Sequence, residues 1–262
     1  MIYYRIGSKE HNLSKDDLRK GLAEALDKLG KKDKVLAVPP DFTRYPSRAG
    51  ELTEMAWEYY GDKMTDILPA LGTHSPMTDE QISLMFGNTP KDIFREHDWR
   101  NDVITLGQVP EEYVNEVTEG KLNFTWPAQV NKLLVEGDFD LILSVGQVVP
   151  HEVVGMANYN KNIFVGTGGF EGINKSHYVG AVYGMERMMG RADTPVRKIF
   201  NYASDNFAAH LPILYILTVV GVNKEGKQQT YGLFIGDDFD VFNEAAKLSL
   251  EVNFQMVEKP LK

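Results

Sequence analysis

Three short stretches of this 262-residue chain carry side chains able to do acid–base, anion-binding or metal chemistry. In Asp41-Phe42-Thr43-Arg44-Tyr45-Pro46, an acid, a hydroxyl and a guanidinium fall within four residues. A planar guanidinium suits a carboxylate or phosphate because its fork makes two parallel hydrogen bonds. The same spacing also fits a plain turn in which Asp41 caps the next helix and Arg44 pairs with it. In Gly72-Thr73-His74-Ser75-Pro76, glycine permits close backbone approach to a ligand, and a histidine suits general-base work near neutrality. The plain alternative is a surface turn with an incidental histidine. The third stretch is the richest. It runs from Pro150-His151-Glu152-Val153-Val154-Gly155 through Lys161 and Gly166-Thr167-Gly168-Gly169 to Asn174-Lys175-Ser176-His177. Gly-rich turns can cradle phosphate with backbone N–H groups, but this spacing matches neither the P-loop nor the dinucleotide fingerprint. Two histidines on separate loops would serve as metal ligands or as an acid and a base. His97, in the charged run Arg95-Glu96-His97-Asp98-Trp99, reads as a solvated or helix-end residue, and His11 and His210 read as structural.

The elements that must position these stretches alternate between strand and helix. Ile2–Ile6 reads as a strand. Ser14–Leu29 reads as an amphipathic helix with a capping box at Ser14 and Asp17 and a stop at Gly30. Lys34–Val38 is an apolar strand running into Pro39-Pro40-Asp41. Glu51–Tyr60 is helical, Thr65–Ala70 a strand ending at the Gly72 stretch, and Thr78–Phe86 a helix capped by Thr78. Trp126–Glu136 reads as a helix, Leu141–Val145 as a strand, and Val196–His210 as a helix. Ile213–Val222 and Gln228–Ile235 flank Asn223-Lys224-Glu225-Gly226 as a hairpin. Asp238–Leu250 is a last helix and Asn253–Val257 a last strand, followed by a linker-like tail. The rhythm predicts an α/β fold: a mostly parallel sheet flanked by helices, with a C-terminal β-hairpin. Each chemically rich stretch follows a predicted strand, and in such sheets ligands bind at the carboxyl ends of strands, so the three can share one crevice.

Composition narrows the functions. A hydrophobic fraction of 43% and a charged fraction of 25% are ordinary for a globular domain. The formal charge of −9 disfavours nucleic acid or an anionic membrane as partner. With no cysteine, a metal must be held by histidine, carboxylate or a ligand from outside the protein. The N-terminus has no apolar run of signal-peptide length, and Leu211–Val222 is too short to span a bilayer, so a cytoplasmic location is the expectation.

Taken together, Asp41-x-Thr43-Arg44, Gly72-Thr73-His74, and Pro150-His151 followed by Lys161 and then His177 resemble the lactate racemase family, which uses a nickel-pincer nucleotide. The resemblance spans the chain as that family's N-terminal domain. It is nearest to the branch acting on sugar acids, such as D-mannonate epimerase. It implies that residues 1–262 form a single cofactor-binding catalytic domain and that the family's lid-like C-terminal domain has no counterpart in them. It also implies roles. Lys161 would be the covalent tether of the cofactor and His177 a nickel ligand. His74 and His151 would be an acid/base pair, and Arg44 the substrate carboxylate clamp. Asp41 and Thr43 would orient Arg44 or touch the cofactor, with Gly72, Thr73 and Gly155 lining the cofactor site. The partners implied are a 2-hydroxy acid substrate and the enzymes that build the cofactor. The chain departs from the family at Gly155-Met156-Ala157-Asn158-Tyr159-Asn160, where a Gly-Phe-Ser-Gly-Gly-type run is usual. This points to a reshaped pocket, with Asn158, Tyr159, Asn160 and Asn174 as candidate contacts to substrate hydroxyls. Two other readings remain open from the residues alone. One is a hydrolase or lyase with His74, His151 and His177 as three zinc ligands. The other is a non-catalytic domain that binds a carboxylate or nucleotide.

Overall fold

The computed structural model describes residues 1–254. The chain forms β1 (Ile2–Gly7), α1 (Lys15–Leu29), β2 (Val35–Val38), α2 (Ala49–Tyr60), β3 (Met64–Ile67) and α3 (Asp79–Phe86). Next come β4 (Val103–Val109), α4 (Glu111–Val117), β5 (Trp126–Asn131), α5 (Leu133–Glu136) and β6 (Leu141–Gln147). A small hairpin of β7 (Pro150–His151) and β8 (Gly155–Met156) leads to α6 (Phe170–Tyr183), α7 (Met185–Met188) and α8 (Pro195–Phe207). The last elements are β9 (Ile213–Val222), β10 (Gln228–Gly236) and α9 (Phe239–Asn253).

Among the described residues the main sheet has six strands in the order β1-β10-β9-β6-β2-β3. The β3, β2, β6 and β9 neighbours pair in parallel, and β9–β10 and β10–β1 pair antiparallel. This is the expected mostly parallel sheet with its C-terminal hairpin. β2 is buried at all four positions and β6 at all but its last, as strands covered on both faces must be. Val35 and Ala37 point into a core under α1 and α2, whereas Leu36 and Val38 point into one under α6, α8 and α9. The local signals at helix starts hold. Ser14 and Asp17 form a reciprocal capping box, and Thr78 and Gln81 form another.

Two expectations fail. Trp126–Glu136 is not one helix: Trp126–Asn131 pairs antiparallel with β4, and only Leu133–Glu136 turns helically. The spacing of Trp126, Val130 and Leu134 suits a helix, but Trp126, Ala128 and Val130 are all fully buried, so the period-2 pattern wins once β4 offers a partner. The stretch leading to His177 is not a loop, because α6 begins at Phe170 and His177 sits two turns into it. Of the expected last strand, Asn253 ends α9 instead, and residues 255–257, like the tail after them, lie outside the described residues.

One buried side chain ties the layers together. Arg197, on the apolar face of α8, is 0% exposed and has no acidic partner among the described residues. It donates to the Met156 carbonyl at 2.6 Å, to the Asn158 carbonyl at 3.2 Å, and to Asn160 Oδ1. Its guanidinium also lies 4.3 Å from the centre of the Phe242 ring. Arg197→Met should fill the space yet strand three buried acceptors. We expect it to lower stability by about 2–4 kcal/mol, read as an earlier urea midpoint with an unchanged slope.

Candidate functional site

The three stretches converge at the carboxyl ends of β2 and β6 and the segment after β3. They line a cavity of about 240 Å³ bounded by Asp41, Thr43, Arg44, Gly72, Thr73, His74, His151, Lys161 and His177. Every site residue expected from the sequence is there except Gly155. Gly155 holds φ +85°, accepts the Gly190 N–H at 2.8 Å, and would clash with the Arg191 carbonyl if it carried a Cβ. Its place is in backbone packing behind the cavity. Gln147, Glu152, Asn158 and Asn162 also line the cavity.

Asp41 leaves β2 and caps a short 3₁₀ turn over Phe42–Ser47. It is 5% exposed, and its Oδ1 accepts the Thr43 amide at 3.1 Å and the Thr43 hydroxyl at 2.5 Å. Its other oxygen, Oδ2, lies 2.5 Å from His74 Nδ1. Asp41 therefore does cap a turn, but Arg44 does not pair with it. The exposed Arg44 side chain has no ion-pair or hydrogen-bond partner among the described residues, and it lines the cavity. A guanidinium left free at a strand end is available to an anionic ligand.

His151 is 7% exposed, and its Nδ1 accepts the Val153 N–H at 3.1 Å. Burial, then the Lys161 ammonium, holds its imidazole well below the ordinary histidine range, against the opposing Glu152 carboxylate. Lys161 opens a π-helical turn, Asn162–Gly166, and is half-buried, with its open side toward the cavity. Its amine has no hydrogen-bond or ion-pair partner among the described residues. Burial first, and the Arg44 guanidinium second, push it down to about 8, so roughly a tenth is the free amine at pH 7. The turn is fixed from below, where Asn162 Nδ2 donates to the Val38 carbonyl at 2.9 Å and to Ser144 Oγ at 3.0 Å. On α6, His177 Nδ1 donates to the Ile173 carbonyl at 2.8 Å, which leaves Nε2 as a lone-pair donor.

Other readings change. The run Gly166–Gly169 is buried, with the Thr167 and Gly168 amides turned back onto the Ile163 and Val165 carbonyls, so it is not an open phosphate cradle. Of the four candidate hydroxyl contacts, only Asn158 lines the cavity. Tyr159 packs into the core against Tyr215 and Phe242, Asn160 is bonded to Asn201, Ser204 and Arg197, and Asn174 is exposed. His97 is not solvated. It is 4% exposed, with Nε2 donating to the Gly168 carbonyl at 3.0 Å and Nδ1 accepting from Asn131 at 3.0 Å, so it pins the turn that starts α6. Glu152 and Arg197 were given no role from sequence. An arginine on the apolar face of α8, three residues before Phe200, was the signal for the second.

A sequence model of the lactate racemase N-terminal domain matches residues 13–189, a span that holds every residue of the cavity. The chain belongs to the lactate racemase N-terminal domain family. Among solved structures, a protein from Thermotoga maritima superposes with a TM-score of 0.84 at 28% identity, over 98% of this chain and 63% of that one. The lactate racemase apoprotein from Thermoanaerobacterium thermosaccharolyticum superposes with a TM-score of 0.62 at 20% identity, over 90% of this chain and 55% of that one, and shares the fold. The chain thus spans less than two thirds of the length of either. A search of curated proteins gave no match. No described helix is long and apolar enough to cross a membrane.

Burial holds the His97 pKa below the ordinary value of 6.5. Below that value the unfolded chain takes up a proton that the folded chain refuses, so stability should fall as pH drops from about 7.5 to 5.5. His151, held lower still, contributes with the same sign, so His97→Gln should lessen but not abolish this dependence in urea titrations at the two pH values, and a stability difference between the two pH values identical to that of the unsubstituted chain would remove His97 as a source.

Proposed function

We propose that this domain binds a nickel-pincer nucleotide and inverts C2 of a 2-hydroxy acid, as a racemase or epimerase. The observation that carries this reading is the meeting in one cavity of a lysine amine and an arginine that have no partner among the described residues, a histidine whose Nε2 is presented by a backbone carbonyl, and two further histidines. The residues suit the group. A cofactor that brings its own sulfur and carbon ligands asks the protein for one nitrogen donor, which His177 offers, and for a nucleophilic amine, which Lys161 offers. When bound, it would supply the acceptor and donor for the C2 hydride.

The protein's own residues do the rest. Arg44 holds the substrate carboxylate through its fork and keeps a flat keto acid from leaving. His74, oriented by Asp41, takes the hydroxyl proton at Nε2. The lining of Gln147, Glu152 and Asn158 gives polar partners to hydroxyls beyond C2, which favours an aldonate such as D-mannonate over lactate. The three-zinc-ligand reading loses ground, because among the described residues no three His, Asp or Glu side chains converge to hold a metal ion. The reading as a binding domain alone leaves the lysine amine without a task. Cytoplasmic location and supply by cofactor-building enzymes follow from the same proposal.

Intact mass and metal analysis of the chain co-expressed with those enzymes test it. We expect a nucleotide-sized adduct on Lys161 with about one nickel per chain, and Lys161→Ala to lose the adduct. An adduct retained on that variant overturns the tether. Lys161 is not the plain loop residue its surroundings in sequence suggest, so folding of the variant is checked by circular dichroism. Arg44→Lys, in the full-length enzyme, should raise KM about tenfold or more, because one ammonium cannot replace the fork. An unchanged KM removes Arg44 as the clamp.

A further inference from the structure

A second cavity, of about 280 Å³, opens on the other side of the segment that carries Lys161. One stretch of chain walls both. Asn158, Lys161, Asn162 and Val165 border the first cavity, whereas Tyr159, Ile163 and Phe164 border the second. The second has its own chemistry. Its charged lining residues are Asp205, Asp237 and Asp238, and no lysine, arginine or histidine borders it. Its rings are in contact, with the Tyr159 centroid 4.2 Å from that of Tyr215 and 5.8 Å from that of Phe239. Tyr215 and Tyr159 are 4% and 6% exposed, yet neither hydroxyl has a hydrogen-bond partner among the described residues, and neither is sealed off from solvent. Two side chains more than nine tenths buried thus turn unpartnered phenol oxygens to this cavity.

The geometry points to a binding site for a small organic ammonium ion. The charged lining is wholly acidic, which repels an anion. An inorganic divalent ion is disfavoured, because among the described residues no three His, Asp or Glu side chains converge to hold one. The rim already takes an ammonium: the Met1 α-amino group bonds to both Asp237 and Asp238. With those two carboxylates engaged, Asp205 is left without an ion-pair or hydrogen-bond partner among the described residues, and it is the anchor for the ligand's charge. Burial holds both phenols above their ordinary value, so they stay neutral and offer oxygen lone pairs to the ligand's N–H groups. The electron-rich faces of aromatic rings attract the same charge. Ile163, Leu211 and Ile213 give an apolar wall to a short hydrocarbon or aryl tail. A ligand there touches the back of the turn that presents Lys161. Binding at this place needs neither the cofactor nor the reaction proposed above.

Isothermal titration calorimetry at neutral pH tests the site with phenethylammonium, beside phenethyl alcohol and hydrocinnamate, which carry the same ring with no charge and with a negative one. The ammonium is expected to bind about threefold or more tightly than the alcohol and about tenfold or more tightly than the carboxylate. Asp205→Asn should weaken it about threefold or more. Tyr215→Phe, which keeps the ring against Tyr159, should weaken it about fivefold or more. Glu10→Gln removes the same charge from an exposed position after β1 and should change nothing. Circular dichroism checks that each variant is folded. No binding, or equal binding of the three ligands, overturns the ammonium site. Equal weakening by Glu10→Gln and Asp205→Asn also overturns it, as general attraction to an acidic surface. An affinity unchanged by Tyr215→Phe overturns its placement in this cavity.

Discussion

The site depends on how the chain holds two residues in a conformation they disfavour. Asn158 and Tyr159 adopt φ +66° and +58° in succession. Asparagine tolerates the left-handed region, but for a bulky aromatic it costs on the order of 1–3 kcal/mol. The surroundings over-determine it. Arg197 takes the carbonyls on either side of Ala157, and Tyr159 is locked between Tyr215 and Phe242 with centroids 4.2 and 5.3 Å away. The chain then emerges with Lys161 facing the cavity rather than the core. From Lys161 the π-helical turn is pinned to β2 and β6 by Asn162, and the next turn to β5 by His97 and Asn131, before α6 carries His177 into place. Lysine and histidine are sixteen residues apart in sequence, but each intervening turn has its own anchor.

Charge works locally against the chain's overall sign. The protein carries −9, yet Arg44 and Arg197 lie close enough to depress the Lys161 amine, after burial. Of the nearby acids, Asp41 is committed to Thr43 and His74, and Glu152 is exposed at the rim. The cavity therefore holds one guanidinium, that of Arg44, without a partner among the described residues, in an otherwise acidic molecule. Net charge disfavours polyanions at long range, while the Arg44 fork faces the cavity at short range.

Much of this was legible because it is local or periodic. Capping boxes at Ser14 and Thr78 declare themselves within four residues, and strands buried on both faces read as short apolar runs. Strand ends then placed Asp41 and His74 in one crevice. What was hidden depends on partners remote in sequence. β5 reads as a helix until β4 pairs with it. His97 looks solvated among its charged neighbours because the carbonyl it bonds lies 71 residues away. Arg197 reads as an ordinary helix residue until the segment it clamps, 37 to 41 residues earlier, is folded beneath it. Gly155 carried a family pattern but sits behind the wall, since glycine there answers to Arg191 and not to a ligand.

Three histidines share the cavity, and what each can do follows from the partner of its Nδ1. His177 gives its Nδ1 proton to a neutral carbonyl, which leaves a lone pair on Nε2, the arrangement a metal asks of an imidazole. His74 has the same tautomer, with the Asp41 carboxylate as the partner of its Nδ1. His151 receives a proton from the backbone instead, so its free nitrogen is a donor, and its burial beside Lys161 keeps it neutral. One side-chain type thus presents two lone-pair nitrogens and one N–H donor within a single cavity. Each partner is fixed by secondary structure: an i−4 carbonyl on α6, a capping aspartate after β2, and an amide in the turn between β7 and β8. A change at any of these partners would reassign its histidine without touching the ring itself.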